Sequence, residues 1–263
     1  MSINLELLIK AYASGYFPMA DSRDDPEVLW VEPKVRAILP LNGLKMSKSL
    51  AKTIRQDKFR VTTNTAFKQV ISLCAASAKG REETWINTDI EDAFLKLHDY
   101  SRAHSIECWQ DTDDGPILVG GLYGLALRQC FFGESMFSRA TDASKVALAW
   151  LVARMRVGGY QLLDCQFMTE HLSSLGAIEV SQLEYFGLLQ SALKGFPDQV
   201  VSTVGSSTAG SSGSSAAGSA GADWGALEGF LAAGLCADSD DGPDDLSSSS
   251  PGKLILHSLT QTS

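Results

Sequence analysis

Residues 131–166 constrain the fold more than any other part of the chain, because two apolar stretches within them each contain an acid. The first stretch, 131–138, contains Glu134, and the second, 162–166, contains Asp164. Both stretches are rich in apolar and β-prone residues, which predicts buried strands. A carboxylate is rarely buried unless it is paired, hydrogen-bonded or functional. We therefore expect these two acids to take part in a site.

The residues between the two strands predict a helix with Asp142 as its N-cap. A strand–helix–strand unit with an acid near the end of each strand is a common way to build a site on an α/β sheet. Before it, turn residues at 111–115 and 127–128 separate three consecutive strands, which predicts an antiparallel meander. The fold class is therefore α/β with a mixed sheet. The predicted elements of the main domain are strands at 60–63, 104–110, 117–126, 129–137 and 161–165, helices at 65–76, 88–100, 143–156 and 171–175, and a last segment at 185–193.

Composition divides the chain into four parts. Residues 1–60 predict a small N-terminal domain, and residues 61–201 predict the main domain, which is long enough for its own core. Residues 202–250 are mostly Ser, Gly, Ala and Asp, which predicts a flexible insertion with a short helix at 224–235 inside it. Residues 251–263 are apolar again, so we expect them to pack on the main domain, with a strand as the expected form.

The net charge of −9 conceals a local excess of positive charge. Residues 34–60 contain eight bases and one acid, and such an excess attracts phosphate even in an acidic chain. Within this stretch, Ser47 is the expected N-cap of a helix on which Lys48, Lys52 and Arg55 share one face. A solvated helix face explains the same pattern, so both interpretations stay open.

The N-terminal residues and the cysteines predict the cellular compartment of the protein. Residues 3–10 form the start of an amphipathic helix rather than a secretory signal, and we expect no membrane span. The five cysteines are scattered and contain no C-x-x-C pair, which favours neither a disulfide framework nor a zinc site. We therefore expect a cytoplasmic protein without a metal.

Nine short motifs in the right order resemble the leucyl/phenylalanyl-tRNA–protein transferase family. The resemblance runs from about Leu8 to Leu189, and residues 260–263 are similar to the characteristic end of the family. The motifs are Ala11-Tyr12 with Gly15-Tyr16-Phe17-Pro18-Met19, Leu29-Trp30 with Pro33 and Arg36, Thr84-Trp85-Ile86, residues 103–109, residues 118–124, residues 132–138, Ala143-Ser144-Lys145, Asp164-Cys165-Gln166, and residues 171–177.

The resemblance implies an enzyme that transfers Leu or Phe from aminoacyl-tRNA to the N-terminal Arg or Lys of a protein. The product is marked for degradation under the N-end rule. The implied partners are leucyl-tRNA, phenylalanyl-tRNA and proteins that begin with Arg or Lys, with no cofactor and no DNA. The implied fold is a small N-terminal domain followed by an acetyltransferase-like (GNAT) domain, in agreement with the predicted strand order.

Such a reaction needs four things from the protein. The attacking α-amine must be neutral and correctly positioned. The ester carbonyl oxygen gains negative charge and needs hydrogen-bond donors. The side chain of the aminoacyl group needs an apolar pocket, and the tRNA needs stacking and phosphate contacts.

The resemblance assigns the catalytic roles to three residues. Asp164 orients or deprotonates the amine, with Gln166 as its hydrogen-bond partner, because alternate residues of a strand point to the same side. Glu134 holds the amine or the basic side chain of the acceptor. The structural alternatives are that Asp164 pairs with a helix end and that Glu134 pairs with Lys145.

The resemblance also assigns the tRNA contacts and the pocket. Trp85 stacks on the terminal adenosine, while Met19 and Thr169 stand where relatives often have Trp and Asn. Lys48, with Lys52 and Arg55 on the same helix face, contacts the tRNA. The expected wall of the amino-acid pocket consists of Leu122, Phe131, Met136, Leu148, Leu151 and Leu163.

Two other functions remain as alternatives. An acetyl-CoA-dependent N-acetyltransferase normally has a glycine-rich pyrophosphate loop before the helix that follows the central strand, and residues 138–144 contain no glycine. A non-catalytic RNA-binding module explains the basic stretch but leaves the buried acids without a role. A thiol nucleophile at Cys165 is not expected, because a cysteine inside an apolar strand is usually inert.

Overall fold

The computed structural model describes residues 2–76, 84–194, 221–237 and 250–260 of the chain. Its strands are β1 (Phe17–Met19), β2 (Leu29–Val31), β3 (Val35–Ile38), β4 (Arg60–Thr63), β5 (Ala103–Thr112), β6 (Gly115–Leu127), β7 (Cys130–Ser138), β8 (Leu162–Gln166) and β9 (Ile178–Ser181). Its helices are α1 (Leu5–Ala13), α2 (Lys48–Arg55), α3 (Phe67–Ala75), α4 (Thr88–Asp99), α5 (Ala143–Val157), α6 (Glu170–Ser174), α7 (Gln182–Ala192), α8 (Ala226–Ala237) and α9 (Pro251–Thr260).

The main sheet has seven strands in the order β4-β5-β6-β7-β8-β3-β9, and β1 and β2 form a separate two-stranded sheet. The predicted meander is confirmed, because β5, β6 and β7 pair as antiparallel neighbours. The predicted strand–helix–strand unit is also confirmed, because β7 and β8 run parallel on either side of α5 in the chain. The sheet is therefore mixed, as the α/β prediction requires.

Apolar side chains cover both faces of this sheet. Helices α1, α3 and α4 supply one cluster of buried residues, and α2, α5 and α9 supply the other. Helix α5 is buried on almost every side because it contacts the sheet as well as α2, α8 and α9. Asp142 precedes it with φ of 69° and pairs with Lys145, so the predicted side-chain cap is wrong.

The N-terminal part of the chain contributes to the main sheet. β3 lies within residues 1–60, yet it pairs with β8 on one side and β9 on the other. Helix α2 packs on α5 and α9. The sequence pattern missed β1, β2, β3 and β9, because strands of three or four residues show little periodicity, although β4, which is equally short, was predicted. The division of the chain at residue 60 stays a prediction.

The last described segments pack on α5. The helix expected at 224–235 is present as α8, and Arg154 of α5 forms two hydrogen bonds with Glu228. Residues 251–260 return to the core, but as the helix α9 rather than a strand. Their buried residues Gly252, Ile255 and Leu256 follow helical spacing, which the alternation of apolar residues had concealed.

Helix α9 approaches α2 so closely that its second residue must be glycine. A Cβ atom at Gly252 would lie 1.9 Å from the carbonyl oxygen of Ile54, and the Gly252 amide donates to Asp57 at 2.7 Å. Residues 195–220, 238–249 and 261–263, which include most of the predicted flexible insertion and the family-like end, lie outside the described residues. Within the described ranges, no helix combines the length and the hydropathy needed to cross a membrane.

Candidate active site

A β-bulge places Glu134 beside a cavity. Tyr123 of β6 pairs with Ser135 of β7, whereas the next residue, Gly124, pairs with Gly133. Glu134 is therefore an extra residue in β7, and a bulge of this kind redirects a side chain at the point where strand pairing breaks. Gly124 is required here, because a Cβ atom would lie 2.1 Å from the carbonyl oxygen of Phe132.

Only one of the two carboxylate oxygens of Glu134 is hydrogen-bonded within the described parts of the chain. Tyr12 donates to Oε1 at 2.8 Å, and the Gln166 side chain donates to the same oxygen at 2.9 Å. Oε2 is buried without a partner among the described residues. Burial raises the pKa of Glu134 to about 8, although the hydrogen bonds from Tyr12 and Gln166 oppose this shift. Glu134 does not pair with Lys145, which binds Asp142, so that alternative is wrong.

Asp164 is fully buried in a network that already uses both of its oxygens. Arg36 donates to it from Nε at 3.0 and 3.1 Å and from Nη2 at 2.6 Å, and Tyr185 donates at 2.8 Å. The backbone amide of Gln166 adds a bond of 2.8 Å. The partner of Asp164 is therefore an arginine of β3, not a helix end.

Arg36 is held from both sides. Its guanidinium carbon lies 4.6 Å from the centre of the Phe17 ring and 4.5 Å from that of Tyr185, and Nη1 donates to the Gly15 carbonyl at 3.0 Å. Stacking and full hydrogen bonding are what a buried arginine needs. The arrangement connects the first strand of the chain to the end of β8.

Gln166 joins the two acids. Its backbone bonds Asp164 and its side chain bonds Glu134, so the predicted Asp164–Gln166 hydrogen bond exists through the backbone instead of the side chain. Gln166 has φ of 64°, a left-handed conformation that few residues other than glycine adopt. Such strain persists only where the surroundings over-determine it, and it is frequent at functional sites.

The cavity next to these residues has a volume of about 320 Å³ and a largely apolar wall. This volume is at the lower end of the range for small-ligand sites, about 300–1,000 Å³. Both Glu134 and Gln166 lie on its surface. Five of the six predicted wall residues also line it, namely Leu122, Met136, Leu148, Leu151 and Leu163.

The sixth predicted wall residue, Phe131, does not line the cavity. Its ring stacks on Trp224, with the ring centres 5.4 Å apart. Trp224 also stacks on His104 at 4.1 Å, and burial lowers the pKa of that histidine to about 3. The sequence pattern had placed Trp224 in a flexible insertion, so it gave no sign that this ring covers Phe131.

Trp85, the expected adenosine contact, and Met19, which stands where relatives often have a second Trp, both line the cavity. The Ala20 amide donates to the Trp85 carbonyl at 3.1 Å, which holds the two segments together. Thr169 lines it as well and caps α6, because its hydroxyl accepts a hydrogen bond from the Leu172 amide at 3.1 Å. Thr169 therefore caps the N-terminus of α6, as an asparagine at the same position would.

The basic helix face is present as predicted but is separate from the cavity. Ser47 caps α2 through a hydrogen bond from the Leu50 amide at 3.1 Å. Lys48, Lys52 and Arg55 are exposed on the face opposite the buried residues of the helix, and none of the three lines the cavity. Their role in tRNA binding stays a prediction.

A reactive thiol and a metal ion are two other ways to build a reactive centre. Cys165 lines the cavity, but burial raises the pKa of its thiol far above the usual range, so it is not an activated nucleophile. In the described parts of the chain, no three His, Cys, Asp or Glu residues come together as a metal site.

Four buried residues of the site had no predicted role. These are Tyr12, Arg36, Tyr123 and Tyr185, of which the first three stand inside the family-like motifs. A polar residue inside an apolar motif was the only signal, and it does not reveal which buried partner each side chain meets.

Two family models match the chain: "Leucyl/phenylalanyl-tRNA protein transferase" over residues 38–190 and "Leucyl/phenylalanyl-tRNA protein transferase N-terminal domain" over residues 1–34. A leucyl/phenylalanyl-tRNA–protein transferase of Novosphingobium aromaticivorans is 51% identical over 98% of this chain and 96% of the relative. One of Rhizorhabdus wittichii is 53% identical over 100% of this chain and 99% of the relative.

Among solved structures, FemX is similar with a TM-score of 0.48 and 8% identity, covering 67% of this chain and 66% of FemX. The family models, in contrast, match most of the chain, and both relatives are similar over almost their full length. The chain therefore belongs to the leucyl/phenylalanyl-tRNA–protein transferase family.

Proposed function

We propose that this enzyme carries out its family's reaction, the transfer of leucine or phenylalanine from tRNA to a protein, at the cavity beside Glu134. The observation that supports this site best is the buried carboxyl group of Glu134 on a largely apolar wall, with Oε2 left without a partner among the described residues. An apolar cavity with a few convergent polar groups is the usual form of a small-ligand site. The apolar part fits a leucyl or phenylalanyl side chain, and the polar end fits an amine.

The polar end supplies a base for the attacking amine. Glu134 has a pKa of about 8, close to the value of about 7.7–8.0 for a free α-amino group. Both groups therefore lose their protons over the same range, and the reactive pair is a carboxylate beside a neutral amine. Oε2 accepts an N–H hydrogen bond from this amine and takes its proton as the new bond forms.

Asp164 acts as a positioning residue in this scheme rather than as the base. Its oxygens are occupied by Arg36, Tyr185 and the Gln166 amide. It fixes the left-handed turn that directs the Gln166 side chain to Glu134. The proposed base is therefore Glu134 rather than Asp164, because Glu134 lines the cavity and its Oε2 has no partner in the parts of the chain that the structure describes.

The residues around the cavity suggest where the tRNA binds. Trp85 supplies an aromatic surface for the terminal adenosine of leucyl-tRNA or phenylalanyl-tRNA, with Met19 beside it. The exposed bases Lys48, Lys52 and Arg55 contact phosphates farther along the tRNA. The acceptors are proteins that begin with Arg or Lys, the products enter N-end-rule degradation, and the reaction takes place in the cytoplasm.

The acetyltransferase-like fold and the small N-terminal domain are part of the same proposal. The mixed seven-stranded sheet with a parallel β7–β8 pair supports the first. Acetyl-CoA chemistry is disfavoured, because residues 138–144 have no glycine and the Ser138 hydroxyl already bonds the Ser144 amide at 3.3 Å. A bare RNA-binding module is also disfavoured, since it gives Glu134 no task.

One assay separates these functions. The enzyme is mixed with labelled Phe-tRNA and a peptide that begins with Arg, and with a control peptide that begins with an acetylated Arg. We expect label only on the free-amine peptide, and less on a peptide that begins with Met. Turnover of acetyl-CoA, or tRNA binding without transfer, would contradict the proposal.

A further inference from the structure

Phe167 lies where the cavity meets solvent. Most of the side chains that line the cavity are buried or half-buried, and Phe167 and Thr169 are the two exposed ones among the described residues. The Thr169 hydroxyl accepts the capping hydrogen bond of α6. Phe167, which is 44% exposed, therefore supplies the aromatic surface at the mouth of the cavity.

The position of this ring is fixed by its neighbours. The Phe17 ring is nearly perpendicular to it, at an angle of 81° and with the ring centres 5.6 Å apart. Phe17 is itself fully buried and lies against the Arg36 guanidinium. Along the chain, Phe167 directly follows Gln166, whose side chain bonds Glu134. The ring is therefore held close to the residues that form the polar end of the cavity.

The basic side chain of the acceptor needs a place of its own at this site. Within the described part of the wall, Glu134 is the only carboxylate, and the proposed reaction uses its Oε2 for the α-amine. The apolar part of the cavity is unsuitable, because a charge that leaves water without a partner is strongly destabilised. An Arg or Lys side chain is long and carries its charge at the tip, so we expect the cation at the solvated mouth.

The groups around the mouth favour Phe167 as the partner of this cation. His171 also lines the cavity, and burial together with the nearby charge of Lys145 lowers its pKa. A second cation would be repelled on that side by the same charge. The face of an aromatic ring, in contrast, is negative and attracts a cation. Trp85 is a half-buried ring that is already proposed to contact the terminal adenosine, which leaves the exposed ring of Phe167.

We infer that Phe167 is a specificity-determining residue, whose ring binds the cationic side chain of the acceptor's first residue through a cation–π contact. This inference rests on the proposed function of the cavity. It gives the two charged parts of that first residue separate partners, Glu134 for the α-amine and Phe167 for the side chain. Arginine suits such a ring better than lysine, because the planar guanidinium stacks on it and is more weakly hydrated.

Phe167→Leu tests the inference, because it removes the aromatic face and keeps an apolar side chain. Two acceptor peptides of otherwise identical sequence are compared, one beginning with Arg and one with citrulline, in which a neutral urea group replaces the guanidinium. We expect wild type to have the higher kcat/KM for the Arg peptide, and Phe167→Leu to reduce this preference by about three- to tenfold, the effect of losing one cation–π contact. Transfer to the citrulline peptide and the affinity for Phe-tRNA should each stay within about twofold, because neither depends on that contact.

Two further variants separate the cation–π contact from the bulk of the side chain. Phe167→Trp should keep or strengthen the preference for the Arg peptide, because tryptophan forms the strongest cation–π contacts. Tyr100→Leu is the matched control, since Tyr100 is an exposed aromatic residue that does not line the cavity. It should leave the preference unchanged.

An unchanged preference in Phe167→Leu, or equal use of the two peptides by wild type, would overturn the inference. A loss of Phe-tRNA affinity without a change in preference would also overturn it, because the ring would then contact the tRNA. A wild-type enzyme that transferred Phe to neither peptide would instead contradict the proposed function, so the two failures are distinguishable.

Discussion

At the scale of single residues, the site depends on which polar atoms are left without partners. Asp164 and Glu134 are both buried acids, but their surroundings differ. Asp164 meets a stacked arginine and a tyrosine hydroxyl, whereas Glu134 meets two neutral donors, both on Oε1, among the described residues. The sequence identified both acids from their place in apolar strands, but it did not reveal Arg36 as the partner of the first, because that contact joins residues 128 positions apart.

The raised pKa of Glu134 predicts a pH-dependent effect on stability. The folded protein holds this proton up to about pH 8, whereas the unfolded chain releases it near 4.5. Wild-type stability therefore falls as pH rises through this window. The glutamine of Glu134→Gln does not titrate. The unfolding free energy of this variant minus that of wild type should therefore increase between about pH 5 and pH 8, by at most about 1.4 kcal/mol per pH unit. Urea unfolding at several pH values measures this, and a constant difference would contradict the predicted protonation.

The Asp164–Arg36 pair predicts a large loss of stability when one partner is removed. Asp164→Asn leaves a buried guanidinium without its counter-charge, which typically costs about 3–5 kcal/mol. Transfer should fall as well, because an amide has one acceptor oxygen where Arg36, Tyr185 and the Gln166 amide share two, while tRNA affinity should barely change. Asp142→Asn is the matched control, since its pair with the more exposed Lys145 contributes less than about 1 kcal/mol. Equal unfolding free energies for the two variants would show that the buried pair contributes nothing.

At the scale of elements, the long strands and helices were predictable, whereas among the short elements β4 and α6 were predicted and β1, β2, β3 and β9 were not. β5 to β8 and α3 to α5 follow clear apolar patterns, so their positions agree with the sequence to within a few residues. The bulge at Glu134 was not visible, because it depends on the register between β6 and β7 rather than on composition. The strand expected at residues 251–263 is wrong, because apolar residues that alternate along the chain here belong to the helix α9.

The basic face of α2 predicts the salt dependence of tRNA binding. Replacing Lys48, Lys52 and Arg55 by alanine should flatten the slope of log affinity against log salt by about 0.7–0.9 for each lost phosphate contact. A double alanine variant of Lys68 and Lys96, two exposed bases on α3 and α4, is the control and should keep the wild-type slope. An unchanged slope in the triple variant would place the tRNA elsewhere on the enzyme.

At the scale of the whole molecule, residues far from the site in sequence complete the layer that covers α5. Trp224 and α8 lie inside the stretch that composition assigned to a flexible insertion, and α9 closes the same layer. Composition does not predict the packing of this segment, because a few large apolar side chains decide it in a stretch that is otherwise rich in small residues. Removing 203–250 as a unit, which composition favours, would therefore remove real contacts.

The two ends of residues 195–220 lie close together, which predicts a tolerated deletion. The Lys194 carbonyl accepts a hydrogen bond from Arg128 at 2.9 Å, and Gly221 lies against the same guanidinium. Replacing 197–218 by about four Gly/Ser residues should thus preserve stability and transfer. Trp224→Ala should instead lower the unfolding free energy by about 3 kcal/mol. The reverse order of stabilities in urea unfolding would contradict this account of the covering layer.

The role of Glu134 as the base is tested most directly by the pH dependence of a single turnover. Phe transfer from saturating Phe-tRNA to an Arg-initiated peptide is followed for wild type and Glu134→Gln between about pH 5.5 and 9, with ester hydrolysis subtracted. We predict that the wild-type rate rises to a plateau above about pH 8, because carboxyl and amine must both be deprotonated. At the plateau, Glu134→Gln should be at least about 10²-fold slower than wild type. Below the plateau, the slope of log rate against pH should be lower for the variant than for wild type by about one. Superimposable profiles would show that Glu134 does not take the proton.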